Sequence, residues 1–171
     1  MIPQRLTDAI NQQIHHELQS AYHYLAMAAH FQNEGYDGFA HWMEIQHQEE
    51  MMHAMKLFRY VHHRGGQVKL SGLAAPSVNE GLPIVVFEQA LATEKSNTSA
   101  IHELYAIANE LKDYATVSHL KWFLDEQVEE EDSISQILAH LRIAGNDPSA
   151  LLLLNQQLGA RGPEANAEDE E

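Results

Sequence analysis

Cysteine is absent from the 171-residue chain. Its absence excludes a disulfide framework and any thiolate metal site. Proline and glycine are sparse, at 5 and 9 residues, and they gather at a few places. Breaks between elements should therefore be few. Basic residues are scarce as well: 10 Lys and Arg face 25 Asp and Glu, for a net charge of −15 with histidine neutral. Such a chain repels phosphate and is ill suited to nucleic acid. It suits a protein that handles cations, although acidity also serves solubility alone. No apolar run approaches the roughly 20 residues of a membrane span. The N-terminus shows no basic segment leading into an apolar stretch, so no secretory signal is expected. The expectation is a cytoplasmic protein that engages neither membrane nor nucleic acid.

Histidine, by contrast, is plentiful, at 12 residues. Most, such as His15, His16, His62 and His63, have no partner in sequence and read as surface or half-buried side chains. His53 is set apart by its neighbours.

Helical periodicity runs through nearly the whole chain. Apolar spacing from Leu6 to Phe31 predicts a first helix, stopped by Asn33-Glu34-Gly35. Asp37 is the expected N-cap of a second helix that runs to Gly65-Gly66. Residues 65–82 hold four glycines and Pro76 and read as a connector. Pro83 suits the first turn of a third helix ending near Leu111. Asp113 can cap a fourth, which ends at Gly145. Asp147-Pro148 opens a short fifth helix over 148–158. Its leucines, Leu151 to Leu154, face all sides and suit packing against other subunits as well as the chain's own bundle.

The four long helices, of ~25–30 residues, would each be ~40 Å long. Tight turns make helices one and two antiparallel, and likewise three and four. An 18-residue connector at ~3.3 Å per extended residue can travel the length of the bundle. The expected fold is all-α: a four-helix bundle with one long crossover and a short C-terminal helix. A single domain spans 1–160. Residues 161–171 read as a disordered acidic tail, carrying Glu164, Glu168, Asp169, Glu170 and Glu171.

Each long helix carries one stripe at core spacing. The stripes are Ile10, Ile14, Glu17, Ala21, Tyr24, Ala28; Phe39, Met43, Gln46, Glu50, His53, Leu57; Phe87, Ala90, Glu94, Asn97, Ile101, Leu104; and Leu120, Phe123, Gln127, Glu130, Ile134, Ile137. Polar residues interrupt each stripe near its middle. Mid-helix positions share one height whichever way a helix points, so Glu17, Glu50, Glu94 and Glu130 should meet in one layer. Burying one unpaired carboxylate costs several kcal/mol, and four of like charge cost more. No Lys or Arg lies on the stripes to neutralise them. Two divalent cations would, with His53 as a neutral ligand. Glu17 to Glu50 and Glu94 to Gln127 are both 33 positions apart, so the two hairpins place their polar groups equivalently. Carboxylates with one imidazole suit iron or manganese better than copper. Glu50 is the candidate bridge between two metals. A lone Glu50-x-x-His53 would be weak, since such pairs are common on exposed helices.

Glutamates on two helices plus a Glu-x-x-His pair resemble ferritin-like di-iron bundles. Gln48-Glu49-Glu50-Met51-Met52-His53, and Glu126-Gln127-Val128-Glu129-Glu130-Glu131 following Trp122, resemble bacterial non-haem ferritins. The resemblance covers about residues 1–160. It implies a 24-subunit homo-oligomeric cage that oxidises Fe(II) with O2 or H2O2, a ferroxidase, and stores Fe(III) mineral inside. By position, Glu17, Glu50 and His53 would hold one iron. Glu50, Glu94 and Glu130 would hold a second, with Gln127 beside it. A weaker third site would use Glu49, Glu126 and Glu129, which otherwise read as a solvated acidic face. Tyr24 would sit by the metals and donate an electron, or else be an aromatic core residue.

Departures from neighbouring families matter too. A haem-binding bacterioferritin would carry a second Glu-x-x-His on helix four. Here the stretch reads Gln127-Val128-Glu129-Glu130, so no haem is expected, and Met51 and Met52 read as surface or interface residues. Animal-type ferritins place acidic residues at a threefold channel where Val117 and Leu120 stand here. A cysteine-bound iron module, usual in rubrerythrin-like peroxidases, cannot form. The non-enzymatic alternative is a helical interaction bundle with chance acidic residues.

Overall fold

The computed structural model describes residues 2–79 and 81–162. Most of the acidic tail, residues 163–171, lies outside them. Five helices and no strand occur among the described residues: α1 (Gln4–Asn33), α2 (Asp37–His63), α3 (Pro83–Glu110), α4 (Tyr114–Ala144) and α5 (Pro148–Leu158). None is long and apolar enough to cross a membrane.

Two apolar clusters give the helix directions. One gathers Tyr24 and Phe31 of α1, Phe39 and Met43 of α2, Phe87 of α3, Ile134 and Leu141 of α4, and Leu151 and Leu154 of α5. The other gathers Leu6 and Ile10 of α1, Leu57 and Val61 of α2, Ile101 and Leu104 of α3, and Leu120 and Phe123 of α4. Hence α1 and α4 run one way, while α2 and α3 run the other. Each cluster fills one end of the bundle, and the polar residues of the stripes lie between them. Truncating one of these large side chains, for example Phe87→Ala, costs about 3–5 kcal/mol.

Turn chemistry explains the ends. Gly35 takes φ 78° just past α1, and the Tyr36 N–H returns to the Phe31 carbonyl at 2.9 Å. Gly65 (φ 70°) does the same after α2. After α3 this left-handed position falls to Lys112, at φ 55°, where a Cβ is unfavourable. Pro83 stands in the first turn of α3, and the Asp113 and Asp147 side chains cap α4 and α5 by accepting from the Thr116 and Ala150 N–H groups.

Asp37 does not cap α2. It is the first helical residue, and Tyr36 precedes it without a capping side chain. The Phe39 N–H is instead satisfied from α5, by Asn155 Oδ1 at 2.9 Å. Gly38 makes this docking possible, because a Cβ there would lie 1.7 Å from the Asn155 carbonyl oxygen. One face of α5 is thus used within the chain, through Leu151 and Leu154, while Leu152 and Leu153 remain exposed.

The connector runs parallel to α1, from the end where α2 stops to the end where α3 starts. Asn11 bonds Gln67 and Lys69, and Gln19 bonds Ala74 through both ends of its amide. Gln89 of α3 then receives the chain at Ser77 and Asn79. Side-chain amides satisfy a backbone that has no ladder of its own, which lets an irregular segment lie flat on the bundle. Leu120 is part of the core cluster, so it is not placed to line a channel.

Candidate metal centre

The four stripes bring six polar groups into one buried layer. Glu17, Glu50 and Glu94 are 0% exposed, His53 1%, Gln127 3% and Glu130 6%. The layer lies between the two apolar clusters, and of its groups Glu130 also lines a neighbouring pocket.

Glu17 is fixed by amides. Gln13 Nε2, one turn earlier, donates to Glu17 Oε1 at 2.9 Å and to Asn97 Oδ1 at 2.6 Å. Asn97 Nδ2 donates to Glu17 Oε2 at 2.8 Å. Glu94 accepts from the Tyr24 hydroxyl and from Gln127 Nε2 at 3.2 Å. Gln127 is held in turn by Thr98 Oγ1 at 3.1 Å. Glu130 Oε2 accepts from Gln46 Nε2 at 2.7 Å.

Glu50 differs. Neither of its buried oxygens meets an N–H or O–H donor among the described residues. Its neighbours are other acids, and His53 Nδ1 stands 3.9 Å from Oε2. Two carboxylates can bond only by sharing a proton. Burial, then the charges of Glu94 and Glu17, raise the Glu50 carboxyl well above its usual range. Burial, then Glu94 and Glu49, do the same to Glu130, against the pull of Gln46 and Arg161. Burial pushes Glu94 up to about 7, although the hydrogen bonds from Tyr24 and Gln127 oppose it. A low-dielectric site holding this much latent negative charge favours a multivalent cation.

Ligand atoms of Glu17, Glu50 and His53 lie within 4.8 Å of one another. Such a set can hold a metal ion. The His53 ring is kept in place edge-on to Trp122, with centroids 5.3 Å apart, and by Phe123. The Glu50 oxygens, without an N–H or O–H donor among the described residues, are both available to a cation. Tyr24 is buried beside Trp42, with its hydroxyl on Glu94. It is therefore both an aromatic core residue and a neighbour of the layer.

Glu49, Glu126 and Glu129 are placed differently. They do not converge as a tight ligand group among the described residues. Both Glu49 oxygens accept from Arg161, at 2.8 and 2.9 Å, while Glu126 and Glu129 line a nearby pocket with Glu130. Met51 lies partly exposed on α2, as a surface position should.

Three groups were not singled out in the sequence. Gln13 sits off the α1 stripe but four residues before Glu17, and that spacing was its only signal. Thr98, which fixes Gln127, is off the α3 stripe. Arg161 lies in the segment read as tail. Nothing local marks it as a partner for a residue 112 positions away.

The chain resembles known proteins along almost all its length. The Ferritin-like domain family matches residues 7–144. A bacterial non-heme ferritin of Staphylococcus aureus is 38% identical over 161 residues, 94% of this chain and 97% of that protein. The Staphylococcus saprophyticus protein of the same name is also 38% identical, over 94% of this chain and 96% of its own. Among solved structures, an Archaeoglobus fulgidus ferritin engineered into a closed form superposes with a TM-score of 0.94 at 43% identity, covering 96% of this chain and all of that one. The open-pore ferritin of the same archaeon gives 0.93 at 44% identity, over 95% of this chain and 100% of its own. With its fold, its buried acidic layer and relatives this similar over nearly their full length, the chain belongs to the ferritin family of iron-storage four-helix bundles.

Proposed function

We propose that this chain is a ferroxidase subunit: it oxidises Fe(II) within the buried layer and stores Fe(III) inside a cage of its own copies. The observation that carries the reading is Glu50, a fully buried carboxylate with no N–H or O–H donor among the described residues, amid three other acids and His53. Iron is the substrate. One Fe(II) binds at Glu17, Glu50 and His53, the second at Glu50, Glu94 and Glu130 with Gln127 alongside. Two Fe(II) supply the two electrons that reduce O2 to hydrogen peroxide, or hydrogen peroxide to water. The protein positions the ions and supplies charge.

The residues around the ligands have separable roles. Gln13 and Asn97 orient Glu17, while Gln46 orients Glu130. The Tyr24 hydroxyl holds Glu94 and lies close enough to the layer to donate an electron. The Trp122 and Phe123 rings keep water from His53. The family and the exposed Leu152 and Leu153 support a homo-oligomer, which we take to be the 24-subunit cage of a cytoplasmic protein. A weaker third iron at Glu49, Glu126 and Glu129 completes the reading.

Stopped-flow absorbance after mixing with aerobic Fe(II) tests it. Glu50→Ala should lose the fast oxidation phase while size-exclusion chromatography still reports an assembled shell. An unchanged fast phase would overturn the assignment.

A further inference from the structure

Among the described residues, the cation Arg161 reaches the acidic layer from outside the four stripes. Arg161 follows α5, and the docking of α5 on Gly38 brings it back over α2. There the guanidinium lies 5.1 Å from the Trp42 ring centroid. Its backbone carbonyl meets His41 Nε2 at 2.9 Å. Nη2 donates to both oxygens of Glu49, at 2.9 and 2.8 Å, and Nη1 donates to Gln46 Oε1. Trp42, Gln46 and Glu49 lie on one face of α2, so three successive contacts seat the side chain. Glu49 is only 5% exposed.

Next to it is a pocket of about 120 Å³ lined by Glu126, Glu129, Glu130, Ser133 and Arg161. That volume holds a cation with a few waters, at about 30 Å³ each. Arg161 is the one cation in the pocket's lining. Gln46 passes the contact on to Glu130: it accepts from Arg161 and donates to Glu130.

We propose that Arg161 is a built-in competitor for a third cation: by covering both oxygens of Glu49 it sets how tightly this chain binds iron beyond the first pair. The inference rests on the two-iron reading above and concerns the neighbouring Glu49, Glu126 and Glu129. A bound guanidinium and a metal cation need the same oxygens, so occupancy by one excludes the other. Hydrogen bonds between charged groups are roughly twice as strong as neutral ones, and Nη2 covers both oxygens, so the competition is substantial. It also links the C-terminal segment to the layer, since Gln46 loses its fixed orientation when Arg161 leaves.

Anaerobic calorimetric titration of the full-length assembled protein with Fe(II) tests this. In Arg161→Gln a third Fe(II) per subunit should bind on the order of tenfold more tightly than in the wild type. Adding Glu49→Gln to that variant should remove the gain. Arg161→Lys keeps the charge but, with one nitrogen, cannot hold Glu49 and Gln46 together as Nη2 and Nη1 do, so its third affinity should fall between. A third-ion affinity unchanged in Arg161→Gln, or a gain that survives Glu49→Gln, would overturn the proposal while the first two binding events leave the two-iron reading intact. A purely anchoring role for Arg161 would lower the melting temperature without moving the third affinity. Loss of the first two events in every protein would overturn both readings.

Discussion

Tyr24 and Glu94 share a hydrogen bond inside the layer, and each is changed by it. Burial, and then the charges of Glu94, Glu130 and Glu50, raise the tyrosine hydroxyl well above its usual range. It therefore stays a donor. Tyr24→Phe removes that donor and leaves Glu94 with Gln127. Losing one such bond is worth about 0.5–1.5 kcal/mol, so anaerobic two-site binding of Co(II) should weaken by no more than about tenfold. The fast oxidation phase should slow more than that, because the proposed electron donor is gone as well. Equal losses in binding and rate would limit Tyr24 to positioning. Glu50, Glu94 and Glu130 all titrate above the usual carboxylate range, Glu94 at about 7. At about 7, Glu94 is partly protonated near neutral pH, and a divalent cation must displace that proton. Affinity should rise with pH through this window, and calorimetry in buffers of different ionisation heat should register protons released. No proton release would contradict the buried acidic layer.

The helix ends decide how well the elements hold. Asp113 caps α4 and also receives Arg64 at 2.8 Å. The hydrogen bond from Arg64 pulls its carboxyl down to about 2, from 3.8 for an ordinary aspartate. A lowered folded value means that this stabilisation is present above pH 3.8 and is lost as pH falls through about 2. Asp113→Ala should cost about 1–2 kcal/mol at neutral pH, and the gap should close in acid melts. Lys112 beside it sits in the left-handed region. Lys112→Gly should stabilise by up to about 1 kcal/mol, read as a higher melting temperature, and a lower one would contradict the strain. Helices α3 and α4 and their caps were legible because Pro83, Asp113 and Gly145 act locally. The start of α2 was not. Its cap comes from Asn155, a residue 116 positions away, and Asp37 sits in the first turn, where acidic residues are favoured without capping.

At the scale of the molecule, the acidic layer trades stability for function. Apolar clusters fill both ends, and four carboxylates interrupt them. In the metal-free protein Glu50→Gln should raise the melting temperature, because a neutral amide costs less to bury and can donate to a neighbouring acid. The same variant should lose most of the rise that divalent cations give the wild type. A saturating cation at 100 times its Kd contributes about 2.7 kcal/mol per site. The layer was legible because each helix interrupts its stripe at mid-length, and equal height follows from that alone. The supporting amides and Arg161 were not, since periodicity ranks residues by face and says nothing about which polar side chain reaches across.

Anomalous diffraction at the iron edge, from crystals soaked anaerobically with Fe(II), tests the two-iron layer most directly. Two peaks are expected ~3.5–4 Å apart, one between Glu17, Glu50 and His53, the other between Glu50, Glu94 and Glu130. Iron found only on exposed glutamates, with the layer empty, would contradict it.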